Sequence, residues 1–200
     1  MTTTPAPLER FVRDLDLLVS QRRSEPDLLP GARRLLGTLI GVDDWLPDAY
    51  AAPDPERYAQ YLLYRDPAAR FSLVSFVWGP GQSTPIHDHT VWGLVGVLRG
   101  AERSQRYRVS PEAPPVPLGP TELLEAGRID AVSPSLGDVH RVSNAFDDRV
   151  SISIHLYGAD IGAVRRWVYP LEGGRKAFVS GYANTNASPP FVLDAAERAA

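Results

Sequence analysis

The chain contains no cysteine, a single methionine and only four histidines in 200 residues. The missing cysteine excludes disulfides and thiolate metal sites together, so any metal must be held by nitrogen and oxygen, and it fits a reducing compartment. No stretch approaches the roughly 20 consecutive apolar residues of a membrane span. No long Lys/Arg run offers an electrostatic footprint for nucleic acid, and the formal net charge is −3. The start, Met1 to Pro7, lacks a basic segment followed by an apolar one. These absences predict a soluble, cytoplasmic protein with neither nucleic acid nor membrane as partner, and they leave its oligomeric state open. Hydrophobic residues make up 44% and charged residues 22% of the chain. That balance suits one well-buried core over residues 1–200, a length too short for two full domains.

The first third reads as helical and the rest as strands. Leu8, Phe11, Val12, Leu15, Leu18 and Val19 recur at helical spacing, and Leu28, Leu35, Leu36, Leu39 and Ile40 form a second apolar set around Pro30-Gly31. Asp54-Pro55-Glu56 resembles a helix cap followed by proline in the first turn, which predicts a short helix to about Leu63 carrying Gln60. Helices over residues 1–65 would then cover a sheet built from residues 70–170. Strand-like runs follow at Phe71 to Trp78, Trp92 to Leu98, Ser104 to Val109, Leu123-Leu124 and Val150 to Tyr157. Many short strands at this spacing predict a mainly β chain, an antiparallel barrel or jelly roll. The five prolines between Pro111 and Pro120 predict a loop, and the last ten residues a terminal helix or a frayed end.

All four histidines fall where one metal site could use them: His87 and His89 in one run, then His140 and His155. On a strand, a His-x-His pair projects both imidazoles from one face, and a third from a distant strand can close a facial array with open positions. Three imidazoles without thiolate or carboxylate suit Fe(II), Zn, Cu or Ni and argue against Mg or Ca. Ser153, His155 and Tyr157 stand at i, i+2 and i+4, so they share one face of a strand.

At these residues the chain resembles a known family. Gly81, five residues, His87-x-His89, a short spacer to Gly93 and six residues to Gly100 are similar to the first cupin motif, and Gly137-x-x-His140-x-x-x-Asn144 to the second. At Gly93 most metal cupins carry a glutamate ligand, and its absence leaves three histidines. Pro85-Ile86-His87-Asp88-His89-Thr90, His140-Arg141-Val142 and the run Ser153 to Tyr157 resemble the thiol dioxygenases, a cupin family that includes cysteine dioxygenase and 3-mercaptopropionate dioxygenase. The likeness runs from about Tyr58 to about Arg166.

The resemblance implies a cupin barrel with N-terminal helices packed on it, and a mononuclear non-haem Fe(II) held by His87, His89 and His140. It implies oxidation of a small thiol by O2 to the sulfinate, with Ser153, His155 and Tyr157 as a hydrogen-bonded relay. Two positions depart from animal cysteine dioxygenase. Gly93 replaces the cysteine that is crosslinked there to the tyrosine, so Tyr157 must be an unmodified phenol. Gln60 stands where an arginine pairs with the substrate carboxylate, and a neutral amide cannot form that bidentate ion pair. Glutamine there resembles bacterial 3-mercaptopropionate dioxygenases, with Arg166, or its neighbour Arg165, as the compensating charge. The expected substrate is therefore 3-mercaptopropionate, with L-cysteine as the close alternative and mercaptosuccinate or cysteamine behind. A regulatory cupin that holds a metal without turnover explains the three histidines but not Ser153, His155 and Tyr157. A zinc or nickel cupin isomerase would want the carboxylate that Gly93 lacks.

Overall fold

The computed structural model describes residues 4–184 and Phe191. Two helices come first, α1 (Ala6–Ser20) and α2 (Glu25–Ile40), followed by ten strands: β1 (Ala59–Arg65), β2 (Ser72–Trp78), β3 (Gly93–Arg99), β4 (Ala101–Ser110), β5 (Ala113–Glu125), β6 (Ile129–Val132), β7 (His140–Asn144), β8 (Ser151–Tyr157), β9 (Arg166–Val168) and β10 (Lys176–Phe178). The expected mainly β fold with N-terminal helices is what the chain adopts. No described helix is long and apolar enough to cross a membrane. The expected terminal helix or frayed end lies outside the described residues.

One sheet runs β1-β2-β8-β3-β6 and is antiparallel throughout. The second contains β5-β4-β7, and bridges from His87 to His140 and to Val168 continue it to β9 and β10. The helices lie on the outer face of the first sheet. Leu8, Phe11, Val12 and Leu15 of α1 and Leu36, Leu39 and Ile40 of α2 form one core with Leu73, Leu94, Ile152, Ile154 and Leu156. At Gly96 the helix lies so close that a β-carbon would stand 2.9 Å from Ile40 Cδ1. The inner face of the first sheet supplies a smaller cluster with Leu62, Val74, Phe76, Trp78 and Tyr157.

Because both faces of β8 are covered, all seven of its residues are buried. Ile152, Ile154 and Leu156 meet the helix-covered core. By the pleat, Ser151, Ser153, His155 and Tyr157 then point between the sheets rather than to water. The polar stripe of this strand is an interior one.

Two local expectations are corrected. Residues from Ala59 form strand β1, not the end of a helix, so the helical part stops well before residue 65. The Asp54 carboxylate does accept from the backbone N–H of Glu56 (2.8 Å) and Arg57 (3.3 Å), but this closes a turn. A helix of about ten residues is marginal by itself, whereas Ala59–Arg65 gains a full antiparallel ladder with β2. The proline-rich segment is not a loop either: residues from Ala113 to Pro120 lie in β5, which among the described strands pairs only with β4 and is mostly exposed. Proline is tolerated at such an edge because no ladder partner needs its missing N–H, and it discourages further strand addition.

Candidate metal centre

His87 and His89 lie between β2 and β3 on a segment tied in by isolated bridges rather than on a full strand, and His140 opens β7. Alternation still holds locally. Asp88, between the two histidines, turns away and accepts from the Trp167 backbone N–H and the Tyr169 hydroxyl, each at 2.8 Å. The reciprocal backbone bonds between His87 and His140, both 3.0 Å, fix the ligand segment against β7. The three imidazoles are buried, offer ligand atoms within 4.8 Å of one another and have ring centroids 4.8 to 5.0 Å apart.

Each ring has its Nδ1 engaged elsewhere. His87 Nδ1 donates to the Pro85 carbonyl (3.1 Å), His89 Nδ1 to the Asp138 carboxylate (2.9 Å), and His140 Nδ1 lies 3.4 Å from the Ser104 hydroxyl. This leaves the three Nε2 atoms as converging lone pairs, the tautomer a metal requires. Burial lowers the His87 pKa to about 3, assisted by the closeness of the neighbouring ring, and holds His140 well below the usual histidine range. His87 and His140 are therefore neutral at physiological pH. Among the described residues no carboxylate joins the cluster, and those present fit a metal held by three nitrogens.

Asp138 is an organising residue that the sequence reading passed over. Burial works to raise its pKa, but hydrogen bonds from the His89 side chain and from the backbone N–H groups of His89 and Thr90 outweigh it and keep the carboxyl ionised. Thr90 sits at φ 60°, a left-handed conformation that costs a non-glycine residue about 1 to 3 kcal/mol. The Asp138 contact holds that turn immediately after the second ligand.

Ser153, His155 and Tyr157 form a continuous chain. Ser153 Oγ lies 2.7 Å from His155 Nε2, and His155 Nδ1 lies 2.8 Å from the Tyr157 hydroxyl. Phe76 stacks on the His155 ring at 4.0 Å, and the Tyr157 ring stacks on His89 at 5.6 Å, so the chain ends beside the histidine cluster. Burial holds His155 well below its ordinary pKa and raises that of Tyr157. Gly93 is the neighbour this tyrosine needs, since a β-carbon there would lie 2.7 Å from its ring. Gly93→Ala is expected to cost about 1 to 3 kcal/mol through overpacking, measurable as a lower denaturation midpoint.

The two remaining candidates also face inward. Gln60, opposite Phe76 in the β1–β2 ladder, shares its face of the strand with Leu62 and donates through Nε2 to the Gly181 carbonyl (2.9 Å). It lines a cavity of about 380 Å³ with Tyr58, Phe178, Ser180 and Tyr182. Arg166 is buried at 4% exposure, while Arg165 is exposed and lies over Trp167. The Arg166 guanidinium donates to Ser180 Oγ (2.6 Å) and covers Phe178 at 4.7 Å, but its Nε has no partner and it makes no ion pair among the described residues. Burial lowers its pKa, and its charge acts on Tyr157, Tyr58 and His87.

Comparison with known proteins finds both a sequence relative and structural neighbours. Cysteine dioxygenase type 1 of Danio rerio is 26% identical over 125 residues, an alignment covering 61% of this chain and 60% of the relative, so the chain spans about three-fifths of that protein's length. Among solved structures, a conserved protein with a double-stranded β-helix domain from Klebsiella pneumoniae has 17% identity and a TM-score of 0.46, covering 68% of this chain and 97% of its own. A cupin superfamily protein from Desulfitobacterium hafniense has 11% identity and a TM-score of 0.42, covering 55% and 84%. The profile of cysteine dioxygenase type I matches residues 41–168, a span that holds every histidine and the whole of β8, and the chain belongs to the cysteine dioxygenase type I family.

Proposed function

We propose that His87, His89 and His140 hold a mononuclear Fe(II) ion and that the protein oxidises a small thiol carboxylate with O2 to its sulfinate, with 3-mercaptopropionate preferred over L-cysteine. When bound, the iron supplies a redox-active centre at which a thiol sulfur and dioxygen can react. The balance is R–SH plus O2 giving R–SO2⁻ and one proton. Ser153, His155 and Tyr157 act as the relay beside it, with the Tyr157 hydroxyl positioned at the reacting groups and His155 holding its orientation.

The observation that carries the substrate class is Arg166. A buried guanidinium with an unpartnered Nε and no carboxylate partner among the described residues is costly unless an anion completes it, and a substrate carboxylate is such an anion. Gln60 supports the preference within that class. Its amide is neutral and already donates to Gly181, so it can accommodate a carboxylate without providing the guanidinium fork that suits an amino acid bound close to the metal.

Oxygen uptake by iron-loaded protein against 3-mercaptopropionate, L-cysteine, mercaptosuccinate and cysteamine tests this reading. Arg166→Gln should lower kcat/KM for the thiol carboxylates roughly ten- to a hundredfold, the scale of one lost charge-assisted contact, with little change for cysteamine, which has no carboxylate. Gln60→Arg should shift the ratio of efficiencies toward L-cysteine. A wild-type preference for L-cysteine that Gln60→Arg does not alter would remove Gln60 as the selectivity residue and make this a cysteine dioxygenase.

A further inference from the structure

Glu102 is the one carboxylate of β4 that the reading above does not use, and it is completely buried, at 0% exposure. It lies on the face of β4 that also carries Ser104, which meets His140. Both of its carboxyl oxygens lack a partner at hydrogen-bond geometry among the described residues. The Ser153 hydroxyl and the Trp78 indole N–H nevertheless lie near enough to favour its ionised form. Trp78 Nε1 in turn donates to Ser153 Oγ at 3.2 Å, so Glu102, Trp78 and Ser153 make one polar knot at the inner end of the relay. Opposite Glu102 stand Asn144 on β7 and Leu124 on β5. Among the described residues no charged group contributes to its environment; His155 follows Ser153 in the relay, and His140 meets Ser104 two residues along the same face of β4.

We propose that Glu102 is the terminal group of the relay, and that its protonation state sets whether Tyr157 presents a hydrogen-bond donor or an acceptor to the metal centre. This rests on the relay role assigned above. The reason is conservation of donors along a one-dimensional chain. With Glu102 ionised, Ser153 O–H donates to it, His155 Nε2–H donates to Ser153 Oγ, and Tyr157 O–H donates to His155 Nδ1. The phenol oxygen then faces the centre as an acceptor. With Glu102 protonated, its O–H donates to Ser153 Oγ, Ser153 O–H donates to His155 Nε2, and His155 Nδ1–H donates to the Tyr157 oxygen. The Tyr157 O–H is released toward the centre. Ser153 keeps the Trp78 donor in both states, so its single proton and two lone pairs are fully used each time. Glu102 carries the one added proton, and every other group only reorients or exchanges its own.

Burial pushes the Glu102 carboxyl up to about 7, against the pull of Ser153 and Trp78, so the two states exchange near neutrality. A thiolate or reduced oxygen is better served by a donor, so turnover should fall as pH rises through that value. Glu102→Gln, which cannot titrate, should lose this limb of the pH–rate profile while its iron content stays near wild type.

Two measurements do not depend on turnover. Infrared difference spectra of the iron-loaded protein between about pH 6 and about pH 8 should contain the carbonyl band of a protonated carboxylic acid that Glu102→Gln lacks. Resonance Raman spectra, taken as the difference between wild type and Tyr157→Phe, should show the phenol changing from acceptor to donor toward His155 as pH rises over the same range, in wild type only. If Glu102→Gln folds poorly, Glu102→Leu removes both the charge and the burial penalty and should show the same two losses. A carboxylic acid band that survives in the variant, or a phenol signature that does not follow pH in wild type, overturns the proposal. If no thiol supports oxygen uptake, the function proposed above fails, while the infrared and Raman results still decide the role of Glu102.

Discussion

Replacing His87, His89 or His140 by Ala is expected to remove most of the bound iron and abolish thiol-dependent oxygen uptake. The physical basis is the small number of donors. The centre has three converging Nε2 atoms and no carboxylate in the cluster among the described residues, so loss of any one leaves two of its three protein ligands. The effect should exceed the roughly 10- to 100-fold loss of affinity typical when an outer hydrogen-bond partner is removed. Asp138→Ala provides that smaller reference, because Asp138 accepts from His89 Nδ1 and from the turn at Thr90 without entering the cluster. Metal analysis after anaerobic loading, with oxygen uptake on the same samples, checks both predictions. Zinc should fill the wild-type centre and leave it inactive, since zinc is redox inert. Full activity with zinc, or a full complement of iron in His140→Ala, would defeat the iron dioxygenase reading.

The cluster could be read from sequence because its chemistry restricts residue type: few side chains offer a neutral nitrogen, and the chain spends all four of its histidines within this site. The i, i+2, i+4 spacing of Ser153, His155 and Tyr157 gave their common face for the same periodic reason, although only the fold shows that this face lies inside the barrel. Where pairing between distant segments decides the outcome, local patterns misled. Asp54-Pro55-Glu56 carries a plausible helix start, yet the ladder between β1 and β2 outweighs it. The prolines of β5 mark the edge of a sheet, which a turn-based reading cannot distinguish from a loop. Arg165 precedes and Arg166 opens a three-residue strand, too short for its pattern to show which of them points inward. Glu102 was hidden most completely: in Ala101-Glu102-Arg103-Ser104-Gln105-Arg106 it has the look of a solvated hairpin, and its burial follows from the pairing of β4 between β5 and β7.

Tyr157→Phe and His155→Ala are expected to lower kcat by roughly 10- to 1000-fold while iron content stays near wild type, the scale associated with a positioned acid, base or hydrogen-bond donor. The two variants break the chain at different points. Tyr157→Phe deletes the hydroxyl nearest the centre but keeps the ring that stacks on His89. His155→Ala leaves the hydroxyl without its 2.8 Å partner and removes the ring packed on Phe76. If the residues act as one relay, the double variant should be little worse than the poorer single one, because groups that work as a unit give strongly non-additive losses. Independent contributions would instead multiply. Single-turnover oxygen consumption by samples of matched iron content separates these cases from a metal-binding defect. Variants that retain wild-type turnover would reduce Ser153, His155 and Tyr157 to a buried polar network that organises the barrel interior, and the three histidines alone would then carry the chemistry.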